Sequence, residues 1–542
     1  MKYVSIKNLI CILMTALIVS ASSGAAQEDH PGKTTGAHPG DQFAPDYKPF
    51  FQTKPKKLEQ VPKKTSTNKP KKVYVMDEKA LAAHELLTEW MSLVDIHKAP
   101  SAREDELYKK WAFNSSPESI DESIEELMEK LKGELLPNGE FEFKESQWGW
   151  GGTAFKSASK LKLIGKPYLD YAVLASERVC GMINHPEKGV IFEHYGPNVR
   201  PAVFYRKPSA NKTLQQMVTW GMKNPSSHET KELYYTNWLM TGHTLSGALY
   251  TIDWILDHPE VHDLEAPQIP GYTRNTGKTY KEKAVHWLMQ AKLIFDTFEK
   301  YQPFDEEEGM WIVKKYKTNK NAGILDGEIT EGNPAYNRAF SFTKVYIKTG
   351  VLLNKYNPEK YNDWYVHAQK RTKQAVDFFR SGWNYPEMKG SFPKENKFGK
   401  LGAWGYFRGN GVTEDRSHLG MDVGPLSTII IDYPGAFEKD DWAVIANTLF
   451  SGEYNYTSHS AYGGLFRYLD SPVKDGLYQN GPRFSGTIAA HLPQEAYDIL
   501  ANEHKMIIEN WLEKKFQINR MSEKWNAPSE LYHARKARYG TK

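Results

Sequence analysis

The sequence predicts a mainly α protein: an incomplete (α/α) toroid or barrel of helical hairpins, with long loops and a few short hairpins. Three observations carry that expectation. Apolar residues recur at helical spacing through most of residues 76–542, strand-like alternation is scarce, and no repeat of solenoid length is visible. The helical stretches vary in length, and the loops between them are rich in tryptophan, which suits hairpins arranged around a cleft.

The elements follow in order. Residues 79–97 put Leu81, His84, Leu87, Met91 and Val94 on one stripe. Helical spacing recurs over 119–134, 152–163, 169–183 and 234–257. In 278–300 the stripe is Ala284, Trp287, Leu288, Ala291, Ile294, Phe295 and Phe298. It continues over 338–355, 359–380, 421–432, 438–450 and 493–513, after which the chain reads as a polar tail. Pro358 and Pro493 stand near helix starts, where a missing N–H costs little. The runs at 190–193, 203–206 and 310–314 read as hairpins within loops.

The first 75 residues differ from the rest. Residues 1–26 read as a cleaved signal peptide: Lys2 and Lys7, an apolar run over 9–19, then small residues to Ala26. The run is too short to span a bilayer. The expectation is a bacterial protein, secreted or periplasmic, with no membrane span. Residues 27–75 are rich in Lys and Pro and poor in large apolar groups, so they read as a disordered linker. Residues 76–542 then form one catalytic domain, expected to be monomeric. Twelve lysines against five acids in the first 75 residues turn the +4 of the whole chain into −3 for the body. That balance argues against nucleic acid as a partner. Of two cysteines, Cys11 leaves with the signal, and Cys180 sits in an apolar helical pattern and reads as core.

Candidate chemistry lies where helices begin. Aromatics make up 13% of the chain, with 15 Trp and 31 Tyr, and their flat faces suit sugar rings. In "SQWGWGGTAF" (146–155), Trp148 and Trp150 are either a stacking platform with glycines that admit a ligand, or indoles buried at a tight turn. "FEHYGPNVRP" places His194, Tyr195 and Arg200 in a loop. "YYTNWLMTGHTLSGALYTID" (234–253) reads as a helix carrying Asn237 and His243, with Gly242 allowing close approach; His243 is either functional or a satisfied core histidine. In "ITEGNPAYNRAFSF", Tyr336 stands beside Arg338, and a neighbouring cation favours the phenolate; the alternative is a packing tyrosine. "EDRSHLGMDVG" (414–424) puts Asp415, His418 and Asp422 at spacings of three and four, with Arg416 between them, leading into a buried helix. Residues 453–486 add His459, Tyr462, Arg467, Tyr478, Asn480 and Arg483, groups that bind hydroxyls and carboxylates. No signature of zinc, calcium, nucleotide or serine-nucleophile chemistry is present, so no cofactor is expected. Whether Asp415, His418 and Asp422 hold a divalent cation stays open.

On these features the chain resembles secreted polysaccharide lyases of the Bacteroidetes type with an α/α-toroid fold, and most of all ulvan lyases, which cut sulfated rhamnose–uronate chains. The resemblance rests on the signal peptide, the helical body, Asn237 and His243, the Tyr336–Arg338 pair and "EDRSHLGMD". Alginate lyases of this fold have adjacent Asn and His; here the two are separated. The resemblance implies β-elimination on an acidic polysaccharide. Asn237 and Arg338 would neutralise the uronate carboxylate, Tyr336 would act as base or acid, and His243 or His418 would be its partner. Trp148 and Trp150 would stack on flanking sugars, and His194, Tyr195, Asp415, Arg416, His459 and Arg483 would bind the chain. Two other readings remain. A glycoside hydrolase, including one that removes unsaturated uronates, would need a carboxylate pair such as Asp415 with Asp422 or Glu331. A non-catalytic glycan binder would need the aromatics alone.

Overall fold

A computed structural model describes residues 78–115, 123–139, 141, 147–181, 201–206, 215–223, 233–236, 238–301, 304–311, 315–319, 324–330, 335–383, 395–402, 404, 408, 416–454, 486–513 and 526–540. The predicted signal peptide and linker lie outside them. Within them the protein is mainly helical. The helices are α1 (Glu78–Leu93), α2 (Ala102–Ser115), α3 (Ile124–Gly133), α4 (Gln147–Ile164), α5 (Leu169–Gly181), α6 (Trp238–Asp257), α7 (Tyr280–Tyr301) and α8 (Tyr336–Tyr356). They continue with α9 (Pro358–Ser381), α10 (Arg416–Asp432), α11 (Asp441–Tyr454), α12 (Gly486–Ala489), α13 (Gln494–Glu513) and α14 (Asn526–Tyr539).

The start signals work as the sequence suggests. Ser123 and Glu126 form a capping box at α3: the Ser123 hydroxyl accepts from the Glu126 amide at 3.1 Å, and the Ser123 amide donates to the Glu126 carboxylate at 2.6 Å. Pro358 opens α9, where the Asn357 side chain accepts from the Lys360 amide at 3.0 Å. The α7 stripe from Ala284 to Phe298 is buried throughout. On α1 the buried stripe is Ala83, Leu87, Trp90, Met91 and Val94, while Leu81 is exposed.

Three expectations need correction. Residues 234–236 are not helical. They belong to strand Leu233–Thr236, whose aromatic and β-branched composition favours an extended chain, and the helix begins at Trp238. That strand joins four others, Pro201–Arg206, Gln215–Lys223, Lys315–Asn319 and Ile324–Thr330, in a small closed barrel. The first and last of the five meet in parallel at Arg206 and Leu325. So 203–206 does form a hairpin, with 215–218, but as part of a five-stranded barrel and not alone in a loop; the run at 310–311 forms another, with 304–305. The polar tail is also structured. Residues 526–539 form α14, in which Tyr532, His533 and Arg535 are buried.

Four helices form a row. α4 packs on α6, α6 on α8, and α8 on α10. Close approaches fix their direction. A Cβ on Gly151 would meet Thr244, one on Gly247 would meet Ala154 and Phe155, and one on Gly242 would overlap the Ser341 carbonyl. Asp253 bonds to Lys348 at 2.7 Å, and Lys348 to Asp432 at 3.1 Å. Early residues meet early residues and late meet late, so the four helices run parallel. α5, α7 and α9 connect or back this row: α5 packs on α4 and α6, α7 on α6 and α8, and α9 on α8. α6 is buried on every side from Thr241 to Asp253, as is most of α8.

Candidate functional site

A parallel row brings the first turns of α4, α6, α8 and α10 to one end. Trp148, Trp150, Tyr336, Arg338, Arg416 and His418 stand in those turns, and His243 and Asp422 in the second turns of α6 and α10. Of the other predicted residues, Asn237, His194, Tyr195, Asp415, His459 and Arg483 lie outside the described residues. Trp148, Arg416 and His418 are described only as helical positions.

The described side chains divide into three places. His243 lies on α6, within the row. It is 8% exposed, and its pKa is lowered to about 3, first by burial and then by the ammonium of Lys344. The imidazole is therefore neutral over the physiological range. Lys344 belongs to a stripe of α8 that sequence reasoning passed over: Asn337, Ser341, Lys344, Lys348 and Lys355 recur at intervals of three, four or seven. Its signal was visible as five polar groups on one face of a helix whose other faces are aromatic and apolar. At the far end of the stripe the charges are matched. Lys348 lies between Asp253 and Asp432, and Lys355 bonds to Asp253 at 2.8 Å and pairs with Asp257 at 2.6 Å. Burial works against the Lys348 ammonium, yet Asp253 and Asp432 outweigh it and raise the lysine. Burial lifts the Asp432 carboxyl, and Lys348 offsets only part of that. Tyr250 sits between the two ends, 5.7 Å from the Lys348 ammonium and edge-on to Phe155 at 5.9 Å.

Tyr336 is elsewhere, in the packing position that the sequence offered as its alternative. Residues two apart on a helix point to nearly opposite sides, so Tyr336 and Arg338 do not share a face. Tyr336 is fully buried against Phe340, Phe378 and Phe379, with its hydroxyl pressed on Gly382 at the end of α9. Asp422 is on this same side. Its carboxylate accepts from the Trp404 indole at 3.0 Å, and the Trp404 ring stands 5.1 Å from Phe379. No group of three potential metal ligands occurs among the described residues.

Trp150 is in a third place. It is 1% exposed, and its indole N–H donates to Glu134 at 3.1 Å. Glu134 also accepts from Arg178 at 2.7 Å, and the Arg178 guanidinium lies 4.3 Å from the Phe141 ring. This indole offers no face to a sugar; the buried-turn reading holds. The glycines follow the same logic. Gly242 and Gly247 admit a neighbouring helix backbone, where a side chain would collide, and not a ligand. Cys180 is core, as its pattern suggested; burial, and then Glu177, push its thiol pKa up.

No family model, curated protein or solved structure matches this chain. No described helix is long and apolar enough to cross a membrane.

Proposed function

We propose that this protein is a secreted polysaccharide lyase that cleaves a uronate-containing, ulvan-like polymer by β-elimination, with its helices completing an incomplete α/α toroid. The observation that carries the reading is the buried His243 of α6, held neutral by burial and by the nearby Lys344 ammonium of α8 in a row of four parallel helices. A neutral imidazole can accept a proton, and the cation beside it can hold the carboxylate of an acidic sugar. The uronate carboxylate is drawn to Lys344 and so offsets the repulsion that weakens His243 as a base. His243 takes the C5 proton. The C5–H electrons form the C4=C5 bond, the C4–O4 bond breaks, and O4 leaves with its pair and takes up a proton. Tyr336 no longer supplies either transfer in this scheme, because its hydroxyl is sealed behind the row. A carboxylate pair for hydrolysis finds less support, since Asp422 is buried and bonded to Trp404.

The test is incubation with ulvan, alginate, glucuronan and a glycosaminoglycan, following the ultraviolet absorbance of the conjugated C4=C5 product. One of the four should develop the chromophore, and His243→Ala should lose at least about a hundredfold in rate, the size of a general-base contribution, with its circular dichroism unchanged. Four flat traces, or a His243→Ala rate equal to the native one, would remove the proposal.

A further inference from the structure

Helix α14 is tied to the first helices and to the last. Against α2, Tyr532 stacks on Tyr108 with ring centroids 3.8 Å apart, and its hydroxyl donates to Asp105 at 2.6 Å. Arg535 donates to Glu104 at 2.6 Å, and both are buried. Against α13, Glu530 meets His504: carboxylate Oε2 and imidazole Nε2 are 2.6 Å apart, at 7% and 2% side-chain exposure.

The second imidazole nitrogen fixes the proton count. His504 Nδ1 lies 2.8 Å from the Leu500 carbonyl oxygen, which can only accept, so Nδ1 carries a hydrogen. The contact at Nε2 then needs one more proton. It is either imidazolium facing carboxylate or imidazole facing carboxylic acid. Without that proton, a nitrogen lone pair would face a carboxylate at hydrogen-bond distance inside the protein.

The described side chains beside the pair are largely apolar. The walls beside the pair are Ala489 of α12, Leu500 and Ala501 of α13, Leu531 and Ala534 of α14, and Tyr497. The Tyr497 hydroxyl is occupied by the Ile96 carbonyl at 3.0 Å. Glu503 on α13 adds a further negative charge, which favours the proton. α12 brings only Ala489 to this wall, and α1 reaches α13 at its far end, where His84 meets the Leu512 carbonyl.

We infer that α14 is a proton-dependent clasp, docked on α13 while the His504–Glu530 pair holds its shared proton and released from α13 when that proton is lost. The direction follows from linkage. Burial disfavours the imidazolium, but Glu530 and the Leu500 carbonyl outweigh it and raise His504 above its usual 6.5. The pair's contribution is complete below 6.5 and disappears as pH climbs through the raised value. Because α14 also grips α2, its release loosens the tie between the first described helices and the last.

Hydrogen exchange on the full chain, corrected for intrinsic rates, tests this at about pH 6 and about pH 9. Peptides from 526–539 should lose at least about tenfold in protection at the higher pH, while those from 280–301 keep theirs. In Glu530→Gln the amide donates to a neutral imidazole, and in His504→Gln it donates to the carboxylate. Either variant keeps the contact without a titrating proton, so α14 should stay protected at both pH values. Equal protection of native α14 at the two pH values overturns the inference. So does loss of protection in 280–301 alongside it, or native-like opening in a folded Gln variant.

Discussion

Single residues show where sequence chemistry and packing part company. Tyr336 and Trp150 were sensible candidates by residue type, since one can move protons and the other can stack on sugars. Burial assigns both to the interior. The Tyr336 ring fills a cluster with Phe340, Phe378 and Phe379, and its hydroxyl lies where a Cβ on Gly382 would stand. Gly382 is therefore required by the tyrosine, not by backbone conformation, since its φ is an ordinary −86°. Gly382→Ala should destabilise by about 1–3 kcal/mol, the range for overpacking a filled site. Adding Tyr336→Phe should restore part of that loss, since it removes the colliding oxygen. Urea midpoints of the two singles and the double form the cycle that checks it. Additive losses would show that the two sites do not touch. What was legible here was the pair of alternatives, ligand or core. What decided between them was contact with Gly382 in one case and with Glu134 in the other, both distant in sequence.

At the scale of elements, amphipathic helices were legible and inward-facing polar ones were not. The α7 stripe declared itself because its other face is charged. α14 reads as a tail because its burial rests on ion pairs and hydrogen bonds, Arg535 with Glu104 and His504 with Glu530, whose partners no local pattern reveals. The strand at 233–236 was absorbed into the following helix because aromatic residues serve either state, and its pairing partners lie at 221–223 and 315–317. The helix row itself depends on small residues. α6 approaches α8 so closely at Gly242 that an added Cβ would meet the Ser341 backbone, which cannot swing aside as a side chain would. Gly242→Ala should then cost about 3 kcal/mol or more, the upper end for overpacking. By contrast Gly133→Ala, at the end of α3 and facing open space, should be neutral or stabilise slightly. Thermal melts of both variants make the comparison; similar melting points would mean that α6 and α8 are not held at this distance.

Across the whole molecule, buried histidines set opposing limits on stability. Burial is the main reason that His243 and His533 have pKa values of about 3; Lys344 and Lys536 add to it. Burial, with a lesser cationic contribution, also lowers His286 and His491. A histidine whose folded pKa is depressed contributes stability that is complete above 6.5 and lost as pH falls toward the folded value, because the unfolded chain takes up the proton first. His504 has the opposite sign and weakens the fold on the alkaline side. His243 on α6 and His504 on α13 lie apart, so their effects should be separable by substitution, whereas His533 shares α14 with Glu530. Between about pH 6.5 and pH 5 the four depressed histidines act against the carboxyls of Glu177, Asp432 and Asp441, which burial raises, and the histidines, two of them lowered to about 3, should set the sign of the slope. Exposed carboxylates such as Glu306, held near 2 by Arg371, Gln374 and Lys370, titrate only below that window. Denaturant midpoints should therefore fall across it, with His243 and His533 together contributing on the order of a few kcal/mol by pH 4. His243→Asn, which takes up no proton, should flatten the slope below pH 6.5 and leave the alkaline side unchanged. A native chain whose midpoint holds steady down to about pH 5 would mean that burial and Lys344 do not hold His243 neutral in the folded state, and the base on which the elimination chemistry depends would be lost.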